Sequence, residues 1–201
     1  MSEGKEGATK VSNISAALIK ELREKTGAGM MDCRKALEQA EGKLEKAVLV
    51  LRERGMMAAE KKKDRAAGEG RIESYIHFGG KIGTLVEVNC ETDFVAKTPD
   101  YQELCRNIAM QIAAANPKWL SRDQVPKEVI EEERKTYEAA GKGDIDKRLD
   151  KFYQANCLLE QPFIKEQDRT VSDMIKASIA KVGENIIIRR FVRFALGDDK
   201  G

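Results

Sequence analysis

The apolar positions of the chain follow a helical period up to about residue 54. Three segments between residues 12 and 54 place apolar residues three or four positions apart, and the third carries Leu44, Ala47, Val48 and Leu51 on one stripe. Helices of this length are marginal alone and gain stability from each other's apolar faces. The pattern therefore predicts a small module of three packed helices.

The region that follows has no clear period. We expect Gly55 to interrupt the third helix. Residues 60–65 are all charged (E-K-K-K-D-R), and the residues after them are small. Because charge runs are usually solvated, we interpret residues 55–70 as a helical or flexible linker. The unpatterned residues 1–11 predict a disordered tail, and residues 197–201 a second tail.

From residue 71 the apolar positions alternate. Residues 71–78 and 81–88 predict a hairpin, since Gly79-Gly80 between them permits the positive φ angles of a tight turn. Residues 185–196 are rich in Ile, Val and Phe, which favours a third strand. Helical patterns occur at 99–115, from 126, at 144–155 and at 170–183. We expect residues 71–196 to form an α+β core, with a three-stranded antiparallel sheet backed by helices.

One segment between a predicted strand and a predicted helix stands out. Thr92, Asp93, Phe94 and Val95 precede a helix start at residues 98–100, which are Thr-Pro-Asp. Two interpretations of Phe94 are open. The ring either staples the beginning of the helix to the core, or it forms an apolar wedge presented to a partner.

Two adjacent methionines raise a similar question. Met30 and Met31 lie at the start of the second helical segment. Consecutive helical residues point about 100° apart, so both cannot lie deep in so small a core. They form either a contact surface of flexible thioethers or a cap on the core at the helix start.

Composition limits the classes of partner. The 201 residues include 36 Lys and Arg against 34 Asp and Glu, a net charge of +2, and 5% aromatic residues. This balance argues against a nucleic-acid or membrane partner, although a basic adaptor surface of residues 61–63, Arg189, Arg190 and Arg193 is the alternative. The apolar stretches are too short to span a membrane, and the N-terminus is unlike a signal peptide, so we expect a cytoplasmic protein.

Few residues are suited to catalysis. His77 is the sole histidine, the four cysteines form no C-x-x-C pair, and no G-x-x-x-x-G-K-[ST] phosphate loop occurs. We therefore expect no catalytic residue, no metal site and no cofactor. The sequence favours a protein that acts by binding a partner over an enzyme.

Three stretches of the chain resemble signatures of bacterial elongation factor Ts. They occur in the family's order and span nearly the whole chain from about residue 12. They are K-E-L-R at 20–23 with T-G-A-G-M-M-D-C at 26–33, V-N-C-E-T-D-F-V-A at 88–96, and V-G-E-N-I-I-I-R-R-F at 182–191.

The resemblance implies guanine-nucleotide exchange on the translation GTPase elongation factor Tu, without covalent chemistry. It implies that the helical module is ubiquitin-associated-like and docks on the GTPase through Arg23, Met30 and Met31. It also implies that Asp93 and Phe94 press into the GTPase near the Mg²⁺ and phosphates of its nucleotide. On this basis Phe94 is the wedge and the two methionines are contacts.

The chain departs from the longer members of that family, which carry two copies of the core and an inserted coiled-coil pair. Here one hairpin-plus-helix unit occurs, without a long heptad run. Short members of the family form homodimers, and a thin sheet with two free edges agrees, so we expect a homodimer. His77 resembles a contact histidine of the second core copy; a solvated histidine on a strand is the alternative.

Overall fold

The computed structural model describes residues 14–141 and 143–198, which form an α+β fold, as predicted. The predicted tail at residues 1–11 and the last three residues of the tail at 197–201 lie outside the described residues. The helices are α1 (Ala16–Thr26), α2 (Met30–Gln39), α3 (Leu44–Glu60), α4 (Asp93–Ala96), α5 (Pro99–Ala115), α6 (Lys127–Ala139), α7 (Ile145–Asn156) and α8 (Val171–Val182). The strands are β1 (Glu69–Ile76), β2 (Ile82–Cys90), β3 (Pro162–Phe163), β4 (Glu166–Thr170) and β5 (Ile186–Ala195).

Helices α1, α2 and α3 pack around a small core of their own. The side chain of Ser15 caps α1 by accepting a hydrogen bond from the amide of Leu18, and Gly27 ends the helix in the left-handed conformation. The core consists of Leu22, Cys33, Ala36, Leu37, Ala40 and Ala47. The predicted packing of three short helices is confirmed.

Helix α3 does not end at Gly55, so that prediction is wrong. The helix continues to Glu60 with Gly55 buried against α8, where a Cβ atom would lie 3.8 Å from the Cβ of Ala180. The missing side chain lets the two helices approach closely, and their packing offsets the low helix propensity of glycine. Ala59 belongs to the larger core around the sheet. Helix α3 thus connects the two cores, and the domain boundary at 55–70 stays a prediction.

Strand β2 is the centre of the three-stranded sheet. It pairs antiparallel with β1 on one side and with β5 on the other, as predicted. Its side chains Val86, Val88 and Cys90 are buried. Helix α5 packs on this face, and the hydroxyl of Thr84 donates a hydrogen bond to the carbonyl oxygen of Ala109 at 3.1 Å.

The opposite face of the sheet carries a row of apolar side chains. The strand register places Leu85 opposite Val192, and Gly83 between Ile76 and Phe194, so these residues of three strands share one face. We call Ile72, Ile76, Leu85, Val192 and Phe194 the open sheet face; their exposed fractions are 65, 64, 45, 40 and 63%. A contiguous apolar patch of this kind indicates an interaction surface.

A small hairpin follows α7. Residues 158–163 show neither a helical nor a strand period, but β3 pairs with β4 in the structure. Strand β4 has the sequence E-Q-D-R-T, which lacks the apolar alternation by which a strand is recognised. Phe163 is 2% exposed and attaches the hairpin to the larger core. The Phe163 ring and two hydrogen bonds of the buried Gln111, to the carbonyl oxygen of Pro162 and from the amide of Ile164, therefore hold a hairpin that has no strand pattern of its own.

The packing of α3 on α8 predicts that Gly55→Ala stabilises the protein. The new methyl group has ordinary contact distances, with its nearest neighbours at 3.8 Å. Alanine favours a helix interior over glycine by about 1 kcal/mol. We expect the free energy of unfolding, measured by urea titration, to rise by about 0.5–1 kcal/mol.

A matched control is Gly70→Ala, where the Cβ would lie 2.2 Å from the carbonyl oxygen of Val88 and φ is +140°. That variant should lose more than about 2 kcal/mol. A loss of stability in Gly55→Ala would mean that α3 and α8 lie too close together to accommodate a methyl group, contrary to the 3.8 Å distance.

Candidate functional site

The segment Thr92–Val95 forms most of the short helix α4, between β2 and α5. Thr92 caps this helix, since its hydroxyl oxygen accepts a hydrogen bond from the amide of Val95 at 3.3 Å. Thr98 caps α5 in the same way and Pro99 opens it, as predicted. The chain therefore turns twice within a few residues and presents α4 at the end of the sheet.

The side chains of Phe94 and Val95 differ sharply in solvent exposure. Phe94 is 76% exposed, whereas Val95 is 6% exposed and belongs to the larger core. The interpretation of Phe94 as a staple is therefore wrong, because Val95 fills that role. The ring of Phe94 is an exposed apolar group at the tip of a turn.

Asp93 and Lys97, which flank Phe94 in sequence, form a charged pair. Lys97 Nζ is 2.6 Å from Asp93 Oδ2, one turn along the same helix. The hydrogen bond and charge of Lys97 lower the pKa of Asp93, so the carboxylate is ionised at neutral pH. Both side chains are exposed. The segment thus displays an aromatic ring and a carboxylate next to each other.

The base of this segment is firmly attached to the core. Cys90 Sγ donates to the carbonyl oxygen of Thr92 at 3.2 Å, and the hydroxyl of Tyr101 donates to the carbonyl oxygen of Val88 at 2.7 Å. Cys90 and Tyr101 are almost completely buried. Burial raises the pKa of both groups, which keeps them protonated and able to donate. The ring is exposed, but the backbone beneath it is fixed.

Arg23, Met30 and Met31 lie on the surface of the helical module. Arg23 is exposed on α1, and the two methionines in the first turn of α2 are 61 and 62% exposed. Cys33, one turn further along α2, supplies the buried contact instead. The interpretation of the methionines as a cap on the core is therefore wrong. They form an exposed, flexible apolar surface.

His77 lies in the hairpin turn and not on a strand, so its predicted position is wrong. Strand β1 ends at Ile76, and Nδ1 of His77 is 3.2 Å from the hydroxyl of Tyr75. Cys90, which leads into α4, pairs with Glu69 at the other end of the hairpin. Nine residues of β2 span roughly 30 Å. Within one chain, His77 and Phe94 are therefore at opposite ends of the sheet.

The described residues contain no cluster of three or more His, Cys, Asp or Glu side chains that could hold a metal ion. Cavities of about 370 and 260 Å³ lie along α8, and neither is lined by Phe94 or Met31. No helix in the described part of the chain is both long and apolar enough to cross a membrane. The candidate contact residues lie on projecting surfaces and not in a cleft.

Comparison with known proteins gives one consistent result. The sequence model of the family described as Elongation factor TS matches residues 8–198. Elongation factor Ts of Heliobacterium modesticaldum is 56% identical over 195 residues, covering 92% of this chain and 91% of the relative. That of Carboxydothermus hydrogenoformans is 55% identical, covering 92 and 90%. That of Thermosipho melanesiensis is 53% identical, covering 92 and 100%. These relatives are therefore of similar length.

The buried state of the cysteines predicts that they are unreactive in the folded protein. Cys33, Cys90, Cys105 and Cys157 are all 0% exposed. Burial raises the pKa of each thiol, to about 12 for Cys105 and about 11 for Cys157. Because the thiolate is the reactive form, Ellman's reagent at about pH 8 should modify none of the four until denaturant is added.

An introduced surface thiol provides the control for that measurement. Ile164→Cys, on the exposed turn between β3 and β4, should react rapidly with one equivalent of reagent. If a native thiol reacted at the same rate, the burial of that cysteine in the folded protein would be contradicted.

Proposed function

The chain belongs to the elongation factor Ts family, and from that premise we propose that it promotes GDP release from elongation factor Tu by disturbing the Mg²⁺ and phosphate site. This role in translation elongation places it in the cytoplasm and needs no covalent chemistry. The observation that carries the proposal is the exposed ring of Phe94 on a fixed backbone.

Exchange of this kind depends on coupled binding. The factor must bind the nucleotide-free GTPase more tightly than the GDP-bound form, and reciprocity then requires that it weaken GDP binding. Each tenfold change in affinity corresponds to about 1.4 kcal/mol. Burial of one phenylalanine side chain contributes about 2 kcal/mol. Phe94 therefore supplies one to two powers of ten, and other contacts supply the rest.

We assign different steps of nucleotide exchange to two groups of residues. Asp93 and Phe94, with Thr92 and Val95 holding them, act on the Mg²⁺ and phosphate site. Arg23, Met30 and Met31 on the helical module hold the complex together. The two groups lie on separate packing units, each with its own core, which supports separate roles. In this division the first group changes the release rate and the second changes the affinity.

Substitution of Phe94 should slow exchange even when the factor is in excess. In stopped-flow release of a fluorescent GDP from the matching elongation factor Tu, Phe94→Ala should lower the saturated rate roughly 10- to 30-fold, because the wedge is lost. Met31→Ala should instead raise the half-saturating concentration about fivefold, with the saturated rate little changed.

The control is Ile164→Ala, an exposed aliphatic residue on the β3–β4 turn outside both groups. Its rate and half-saturating concentration should equal those of the unaltered protein. An unchanged saturated rate in Phe94→Ala would contradict the proposed mechanism.

We also propose that the chain forms a homodimer through the open sheet face. A three-stranded sheet with one uncovered face has a thin core, and a second copy of the same face would bury these apolar side chains. A face used in this way must be self-complementary, which apolar side chains permit because their packing has no donor or acceptor to match. His77, at the hairpin end of this sheet, is a proposed secondary contact to the GTPase.

Charge placed on the open sheet face should separate the two copies. Leu85 lies on the central strand and is 45% exposed. In Leu85→Lys an ammonium group would be buried without a partner, so sedimentation equilibrium should give the monomer mass of 22.5 kDa. The unaltered protein should sediment with twice that mass.

Leu49→Lys, on the exposed surface of α3, is the matched control and should leave the dimer intact. An unaltered protein that sediments as a monomer throughout the micromolar range would contradict this part of the proposal.

A further inference from the structure

The turn between α8 and β5 lies in the third signature stretch, residues 182–191. Helix α8 ends at Gly183, whose φ of 81° is the left-handed conformation that suits glycine. Glu184 and Asn185 follow, and β5 begins at Ile186. Because Ile186 pairs with Cys90, this turn lies directly beside the beginning of α4.

The carboxylate of Glu184 binds the backbone that leads into α4. Its Oε2 accepts hydrogen bonds from the amides of Glu91 and Thr92, at 3.1 and 3.0 Å. Its Oε1 accepts a hydrogen bond from the hydroxyl of Thr92 at 2.6 Å. One half-buried carboxylate therefore accepts three hydrogen bonds from two consecutive residues.

The bond to the Thr92 hydroxyl also determines how that hydroxyl caps α4. A hydroxyl has one proton to donate and lone pairs with which to accept. Because Thr92 gives its proton to Glu184, a lone pair remains to accept the hydrogen bond from the amide of Val95. A helix of four residues has little stability of its own and depends on such a cap.

Glu91 and Asn185 form a second connection between the same two segments, in which the donor lies on the α8–β5 turn and the acceptor lies before α4. Glu91 Oε1 accepts a hydrogen bond from the amide of Asn185 at 2.7 Å. Nδ2 of Asn185, a residue that is 2% exposed, donates to the carbonyl oxygens of Lys63 and Arg65 at 3.2 and 2.9 Å. The segment after α3, the beginning of α4 and the α8–β5 turn therefore meet at one point.

We propose that Glu184 is a positioning residue for nucleotide exchange, which holds α4 so that Phe94 projects toward the GTPase. The inference rests on the proposed role of Phe94 in GDP release. Val95 and the Cys90 hydrogen bond to the Thr92 carbonyl oxygen anchor α4 from below, but neither engages the amides of Glu91 and Thr92, through which the chain enters the helix. The three hydrogen bonds of Glu184 fix the direction of the chain at its first turn. Glu184 itself need not touch the GTPase.

The test is Glu184→Gln, which keeps the size of the side chain but removes the acceptor for the Thr92 proton. The amide oxygen can still accept from the two backbone amides, whereas the NH₂ group then faces the Thr92 hydroxyl and competes with the Val95 amide for its lone pairs. We expect the saturated rate of fluorescent GDP release to fall about tenfold, with the half-saturating concentration changed less than about threefold. Hydrogen exchange of the Val95 and Ala96 amides should speed up in the free protein. A role in overall stability alone would not produce this separation of rate from affinity.

Glu160→Gln is the matched control. Glu160 also forms short charged hydrogen bonds, at 2.7 and 2.6 Å to Arg122, but it lies outside the segment that holds α4. Its saturated release rate should stay within about twofold of the unaltered protein. An equal loss of rate in Glu160→Gln would mean that general destabilisation is responsible, and it would overturn the inference.

A double-mutant cycle with Phe94→Ala separates this inference from the proposed function. If Glu184 acts through Phe94, then Glu184→Gln should have no further effect on release once Phe94 is alanine. If Phe94→Ala slows release but Glu184→Gln does not, only the inference about Glu184 fails. If Phe94→Ala has no effect, the proposed function fails as well. Should Glu184→Gln not fold, Thr92→Val removes the shortest bond from the other side and must lower the rate similarly.

Discussion

The candidate site depends on one constraint: Val95 must be buried in the larger core while its neighbour Phe94 is exposed to solvent. Consecutive helical residues point about 100° apart, so α4 can bury one and expose the other only while its own orientation is fixed. The cap by Thr92 and the three hydrogen bonds that the Glu184 carboxylate accepts fix it. A phenylalanine left in water forgoes about 2 kcal/mol of burial. A binding partner would recover that free energy, which gives the exposed ring a physical reason.

The other features of the fold connect this site to a second surface. Helix α3 begins in the small helical core and ends against the larger one, with Gly55 packed on α8 and Ala59 inside the core. Asn185 then binds the segment that follows α3. The surfaces that carry Met30 and Met31, proposed for docking, and Phe94, proposed for GDP release, thus share one packed connection. The open sheet face remains available for a second copy of the chain.

Local features were predictable from sequence because a few adjacent residues determine them. The cap at Thr98 with Pro99 occurs as predicted, and the helical pattern at 170–183 corresponds to α8, which begins after a capping box of Thr170 with Asp173. The continuation of α3 through Gly55 was not predictable, since it depends on packing against α8, which is distant in sequence. Strand β4 was not predictable either, because its own sequence lacks a strand pattern and its hairpin is held by Phe163 in the larger core and by the distant Gln111. Glu184 is 92 residues from Thr92, so only the fold reveals their contact. The exposure of Phe94 likewise required knowing that Val95 takes the buried position.

The proposed exchange mechanism requires that the Phe94 ring contacts the nucleotide site of the GTPase. A photoreactive benzoylphenylalanine placed at position 94 probes this contact, because the cross-link marks the nearest atoms of the partner. We predict cross-links to the segments of elongation factor Tu that bind Mg²⁺ and phosphate, and their loss when Mg²⁺ and GDP are in large excess. Cross-links confined to this chain, or to a part of the GTPase remote from the nucleotide, would contradict the account.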